Sequence, residues 1–248
     1  MRSSALSTMK LTNIFLGLAF VFLLRLPAHA EHGWPMPPAS YFIQRIPAPP
    51  TEGDAVDISD LDYVLAVQAC ATKEQIKHTK FTDKLDPFSI FGEVLGRRFT
   101  ASKYPLTSDL FTKLSATAEK IKDQLKAHYA RKRPIDAHEE NGVISYVPRF
   151  TSFSYPSGHS LRGWIWALVL SELDPGKKNQ IISCGARVGS DRVVAGAHYE
   201  TDIMASRALG RLIFNKLKND PDFVKELAAA KNAEWASAEA AISKIGTH

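Results

Sequence analysis

The chain has 248 residues, 45% of them hydrophobic, with 31 basic and 26 acidic side chains. That length suits one large domain with a sizeable core. The formal charge of +5 falls to +2 once the three cations of an N-terminal leader (Arg2, Lys10 and Arg25) are set aside, so any marked basicity must be local rather than global.

Residues 1–30 read as that leader. Arg2 and Lys10 form a basic start, Leu11 to Leu24 is mostly apolar, and Ala28-His29-Ala30 is an A-x-A cleavage site. This is the pattern of a secretory signal peptide cleaved near Ala30. The apolar run is short and interrupted by Asn13 and Gly17, unlike a retained anchor. No later stretch approaches the roughly 20 apolar residues needed to cross a bilayer. Neither a nucleic-acid polymer nor, after cleavage, a membrane is expected as a partner. Cys70 and Cys184 are the two cysteines. They form either one long-range disulfide, worth about 4–5 kcal/mol in the chain-entropy view, or two separately buried thiols.

Residues 31–56 are proline-rich and are expected to be extended, ahead of a helical domain over 57–248. Helices are predicted over 57–71, 72–83 and 87–95. The clearest spans 106–129, where Leu110, Leu114, Ala118, Ile121, Leu125 and His128 make one apolar stripe. Residues 158–173 are apolar almost all round, which predicts a central helix, and Asp174-Pro175-Gly176 stops it. Three more are predicted over 177–192, 198–217 and 221–245, the last starting after Asn219-Asp220-Pro221. The segment 142–147, "GVISYV", is the sole strand candidate. The expected fold is an all-α single domain.

Three clusters carry polar chemistry. In "KAHYARKRP" Lys126 and Arg133 are seven residues apart, so two helical turns would put both on one face; a basic helix end complementing the dipole is the simpler account. In "SYPSGHS" Ser157 is an N-cap candidate at a helix start whose backbone N–H groups suit an anion, Gly158 permits close approach, and His159 stands beside it. In "SDRVVAGAHYETD" Arg192 precedes His198 by six, and Asp202 follows His198 by four, which would place a carboxylate where it orients an imidazole. Singly, each cluster is as well explained by capping or surface pairing. Together they offer three cations, a helix N-terminus, two histidines and a carboxylate. That set suits a tetrahedral dianion and the charge developing on it during transfer.

The ordered set Lys126-x6-Arg133-Pro134, Pro156-Ser157-Gly158-His159 and Arg192-x5-His198-x3-Asp202 resembles the three-part signature of the type 2 phosphatidic acid phosphatase superfamily. More narrowly, from about Leu61 to Ala240 the chain resembles class A bacterial non-specific acid phosphatases. The resemblance implies an all-helical periplasmic phosphomonoesterase acting on small-molecule phosphomonoesters without a metal or other cofactor, in a family whose members are often multimeric. It implies that Lys126, Arg133, Ser157, Gly158 and Arg192 hold the phosphate. His198 would be the nucleophile forming a phosphohistidine, Asp202 its orienting carboxylate, and His159 the general acid. Transfer to an acceptor hydroxyl would compete with hydrolysis. The chain departs from the family at Asp191, where serine commonly precedes the third-motif arginine; this acid either weakens the grip of Arg192 or points away. Two alternatives share the cradle: a vanadium-dependent haloperoxidase, with His198 ligating vanadate, and a phosphate-binding protein without turnover.

Overall fold

The computed structural model describes residues 33–236, and the predicted leader at 1–30 lies outside them. The described chain is helical, with α1 (Ala39–Ile43), α2 (Ala55–Ala69), α3 (Lys73–Thr82), α4 (Pro87–Leu95), α5 (Pro105–Tyr129) and α6 (Pro134–His138) in its first half. It continues with α7 (Gly158–Leu173), α8 (Lys178–Val194), α9 (Glu200–Leu217) and α10 (Pro221–Ala230), which runs on as a π-turn, Lys231–Trp235. The remainder of the predicted last helix, to Ile245, falls beyond the described residues.

Local chemistry sets most starts. Asp54 accepts from the amides of Val56 and Asp57, and Thr72 with Gln75 closes a reciprocal capping box on α3. Asp86 and Asp220 cap α4 and α10, each with proline in the first turn. A capping side chain satisfies amides that have no intrahelical partner, and proline there gives up no bond.

The apolar α7 is the centre of the packing, with α8 and α9 as its main neighbours and α5 alongside. Its crossing with α8 depends on two glycines. A Cβ on Gly185 would lie 2.5 Å from Ala167 Cβ and 2.6 Å from the Gly163 carbonyl oxygen, and one on Gly163 would lie 2.8 Å from Val188 Cβ. Since the obstruction includes backbone, it cannot rotate away. Gly185→Ala is therefore expected to cost about 1–3 kcal/mol in urea unfolding. Gly92→Ala in α4, where a Cβ meets nothing within 4 Å, should cost nothing; equal behaviour of the two variants would refute close packing as the cause.

Three expectations need correction. The 31–56 segment is neither uniformly extended nor separable. Ala39–Ile43, a proline-free run, makes one helical turn, and Trp34, Phe42 and Ile46 are buried in the main core. Trp34 N donates to Thr117 Oγ1 at 2.9 Å, tying the segment to α5. The second concerns "GVISYV", which forms no strand. Its backbone is satisfied by a side chain instead: Gln68 Nε2 donates to the Ile144 carbonyl at 2.7 Å and Gln68 Oε1 accepts from Ile144 N at 2.9 Å. The third is the start of α9, which lies at Glu200, so His198 precedes the helix rather than opening it. Cys70 and Cys184 are both free thiols. Cys184 donates to the Ile90 carbonyl, and burial pushes its pKa up to about 12.

Candidate functional site

The site is assembled where the end of α5, the start of α7, the end of α8 and the start of α9 meet. The helix of α5 stops at Tyr129, with Ala130 in the left-handed region (φ 47°), and Arg133 is the residue before α6. Lys126 and Arg133 thus do not share a helical face, contrary to the two-turn reading. They converge instead on the loop before α7. Lys126 Nζ donates to the carbonyls of Phe153 and Ser154. Arg133 Nε donates to the Ser152 carbonyl at 2.8 Å, and its guanidinium packs 4.7 Å from the Phe150 ring.

His198 and Asp202 meet through a capping geometry. Asp202 is the third residue of α9, and its Oδ2 reaches back to accept from Tyr199 N at 3.0 Å. The same oxygen lies 3.2 Å from His198 Nδ1 and accepts from Ser154 Oγ. On the other side of the ring, Arg133 Nη1 lies 2.9 Å from His198 Nε2. Arginine only donates, so Nε2 must accept, and the proton of the neutral ring sits on Nδ1 facing the carboxylate. The tautomer is imposed from both sides.

Arg192 sits in the last turn of α8 and is completely buried. The backbone links it to His198, whose N–H donates to the Arg192 carbonyl at 3.2 Å. Its guanidinium turns to the end of α3: Nη1 donates to Asp83 Oδ1 at 2.6 Å, and Nη2 to the Thr79 carbonyl at 2.6 Å and Thr82 Oγ1 at 3.0 Å. Asp191 makes no direct bond to that guanidinium and reaches it through Thr82 Oγ1, which accepts from Arg192 Nη2 and donates to Asp191. It takes Thr82 Oγ1 at 2.7 Å and His78 Nδ1 at 2.8 Å, so the acid that replaces serine is absorbed by α3.

Ser157 is the N-cap of α7, its Oγ accepting from Ser160 N, and Gly158 is the first residue of the helix. A Cβ on Gly158 would lie 2.9 Å from Lys122 Cδ, so the close approach made there is to a lysine stem. His159 Nε2 lies 3.2 Å from the Asp83 carbonyl oxygen, and its ring packs edgewise on Phe150.

Every residue predicted from the motifs therefore comes to one region, and all are buried. Burial sets the electrostatics. It lowers Lys126, followed by repulsion from Arg133, to about 7. It lowers Arg133 to about 10. Both histidines are held well below their usual value, first by burial, then by Arg192 for His159 and by Arg133, Lys126 and Arg192 for His198. The buried cluster thus gathers three cationic side chains around two imidazoles whose protonation is disfavoured, an arrangement that a bound anion relieves.

Sequence reasoning missed Ser154, Asp83 and Arg131. Arg131 Nη1 donates to Asp202 Oδ1 at 3.0 Å, and Nη2 to Asp57 at 2.8 Å and Asp60 at 2.9 Å. Burial opposes its charge, but the carboxylates of Asp202, Asp60 and Asp57 push its pKa up. Nothing in "KAHYARKRP" marks out Arg131, because its partners lie on α2 and α9.

Residues 110–221 match the PAP2 superfamily. A non-specific acid phosphatase of Providencia stuartii is 32% identical over 148 residues, covering 57% of this chain and 58% of the relative. That of Salmonella typhimurium is 31% identical over 156 residues, with the same coverage. The chain thus spans somewhat over half the length of these relatives. A lipid A 1-phosphatase of Rhizobium johnstonii is 35% identical over 89 residues, covering 35% of this chain and 36% of the relative. Among solved structures, a transmembrane PAP2-type phosphatidylglycerolphosphate phosphatase from Bacillus subtilis superposes with a TM-score of 0.51 at 21% identity. It covers 68% of this chain and 87% of that one. A bacterial vanadium-dependent iodoperoxidase superposes with a TM-score of 0.55 at 18% identity, covering 74% of this chain and 55% of that one. Both show a shared fold. Among the described residues of this chain, no helix is long and apolar enough to cross a membrane. The buried cluster of Lys126, Arg133, His159, Arg192 and His198 lies within the span, residues 110–221, that matches the PAP2 superfamily.

Proposed function

We propose that the protein is an exported acid phosphatase that cleaves small phosphomonoesters through a phosphohistidine. The observation that carries this reading is the tautomer of His198: Nδ1–H faces Asp202, and Nε2 is the unprotonated nitrogen, its lone pair accepting from Arg133. An unprotonated, oriented nitrogen among buried cations is a nucleophile placed next to an anion seat. The phosphoryl oxygens are held by Lys126, Arg133 and Arg192 with the amides at the start of α7. Nε2 attacks phosphorus, and the bond to the leaving oxygen breaks. His159, protonated when the dianion is bound, gives its proton to that oxygen. In the second half a water loses a proton to His159 as its oxygen attacks phosphorus, and the P–N bond breaks to free His198 and phosphate. An acceptor hydroxyl in place of water gives phosphotransfer.

The test is release of p-nitrophenol from p-nitrophenyl phosphate, with and without EDTA. Turnover that survives chelation, is blocked by vanadate and is fastest on the acidic side is expected. No turnover in any buffer would favour a phosphate-binding protein, and halide oxidation with peroxide and vanadate would favour a haloperoxidase. A second consequence follows from Lys126. With its pKa near 7, the ammonium is present below that pH and lost above it. Inhibition by inorganic phosphate should therefore weaken by up to about tenfold per pH unit above neutrality, and Lys126→Arg should flatten that decline. A wild-type inhibition constant that stays level to pH 9 would show that Lys126 remains charged.

A further inference from the structure

Asp83 belongs to no motif and lies outside the span matched to the family, yet it touches two groups of the site from the end of α3. Its Oδ1 is 2.6 Å from Arg192 Nη1 and 3.6 Å from His159 Nε2, and its carbonyl oxygen is 3.2 Å from the same ring nitrogen. Asp83, Thr79 and Thr82 engage both terminal nitrogens of Arg192, while Nε is buried with no partner. A fully buried N–H without an acceptor costs stability unless something fills its place. The α3 grip uses three of the five N–H groups of Arg192 and leaves two, Nε–H among them, for a bound oxyanion.

The same contact assigns the nitrogens of His159. With Nε2–H donating to the Asp83 carbonyl, Nδ1 is the nitrogen that gains and loses the acidic proton. The groups facing this ring are Asp83 from α3, Arg192 from α8, Arg162 from its own helix and His198 before α9, with the Phe150 ring against it. Asp83 supplies the one carboxylate in that set, standing between the ring and Arg192.

We propose that Asp83 is a positioning residue for the leaving-group half of the reaction: it aims Arg192 and keeps the His159 imidazolium within reach of a carboxylate, so that His159 can serve as the acid. This rests on the phosphatase reading above. Asp83 Oδ1 lies close to both Arg192 Nη1 and His159 Nε2, so its charge opposes the repulsion that Arg192 exerts on a protonated ring.

Asp83→Asn keeps the side chain's shape and the backbone carbonyl but removes the charge. The expected result is a kcat loss about tenfold larger for an alkyl phosphate than for p-nitrophenyl phosphate, whose leaving group needs little protonation. The alkaline limb of kcat/KM should move down by about one pH unit, and Asp83→Glu should restore it in part. An NMR titration of the His159 ring with inorganic phosphate bound should show the same downward shift. Equal losses on both substrates with an unmoved limb would reduce Asp83 to a structural role and overturn the proposal. Tighter inhibition by inorganic phosphate with a lower KM and an unmoved limb would also overturn it, by making Asp83 a competitor for the seat. If the wild-type protein lacks turnover, the phosphatase reading fails on that control. The ring titration then decides Asp83 separately, and an unshifted ring rejects it.

Discussion

His198→Ala is expected to lower kcat by on the order of 10⁴-fold or more, the scale seen when a nucleophile acting as part of a catalytic unit is removed. The reason is local. His198 Nε2 is the ring nitrogen facing the Arg133 donor, and its partner nitrogen is committed to Asp202. A burst experiment quenched in alkali, which preserves phosphohistidine, separates the two histidines. Wild type should accumulate a phosphorus–nitrogen adduct and His198→Ala none. His159→Ala should still form it from p-nitrophenyl phosphate and form it far more slowly from an alkyl phosphate. An adduct that persists in His198→Ala would assign the nucleophile elsewhere.

The second large effect belongs to a residue that touches no substrate in this scheme. Arg131 sits behind the site with Asp57, Asp60 and Asp202 around its guanidinium, and its Cζ stacks 3.9 Å over the Tyr199 ring. Asp60 and Asp202 are buried, so removing the cation leaves carboxylates with neither water nor a counter-ion. Arg131→Met is expected to cost about 3–5 kcal/mol in urea unfolding, the range for stripping one partner from a buried pair, and to lower Tm by about 10 °C. Adding Asp57→Asn and Asp60→Asn should recover part of that loss. A destabilisation below about 1 kcal/mol would mean the cluster behaves like an exposed pair. Freed from Arg131, Asp202 would also hold His198 less well, so activity at a temperature below the melt should fall with it.

The helical periods and caps were legible because they are local. The stripe along α5, the stop at Asp174 and the cap at Asp220 involve residues within a turn of one another. The central place of α7 followed from its uniform apolarity. Errors arose where local preference met a distant partner. The alternating pattern of "GVISYV" predicts a strand, but a strand needs a neighbouring strand, and the group available was the Gln68 amide, 76 residues away. The proline-rich segment acquired a helical turn and joined the core through Phe42, which has no exposed surface.

The site divides in the same way. Lys126, Arg133, Ser157, Gly158, His159, Arg192, His198 and Asp202 could be picked out because each sits in a short motif of fixed spacing, and spacing survives in one dimension. Even so, the reason His198 meets Asp202 was misread: the carboxylate arrives by capping the start of α9 from its third residue, not from one shared helical face. By itself the sequence determined the longer helices, their order and the types of residue available for phosphate chemistry, while the five-residue helices α1 and α6 went unread. The tertiary structure alone decided which nitrogen of His198 is unprotonated, that Asp191 reaches Arg192 only through Thr82, and that Arg131 and Asp83 stand behind the site. Those facts depend on contacts between residues 65 to 113 positions apart, and a contact of that reach is a property of packing, which no local period or propensity encodes.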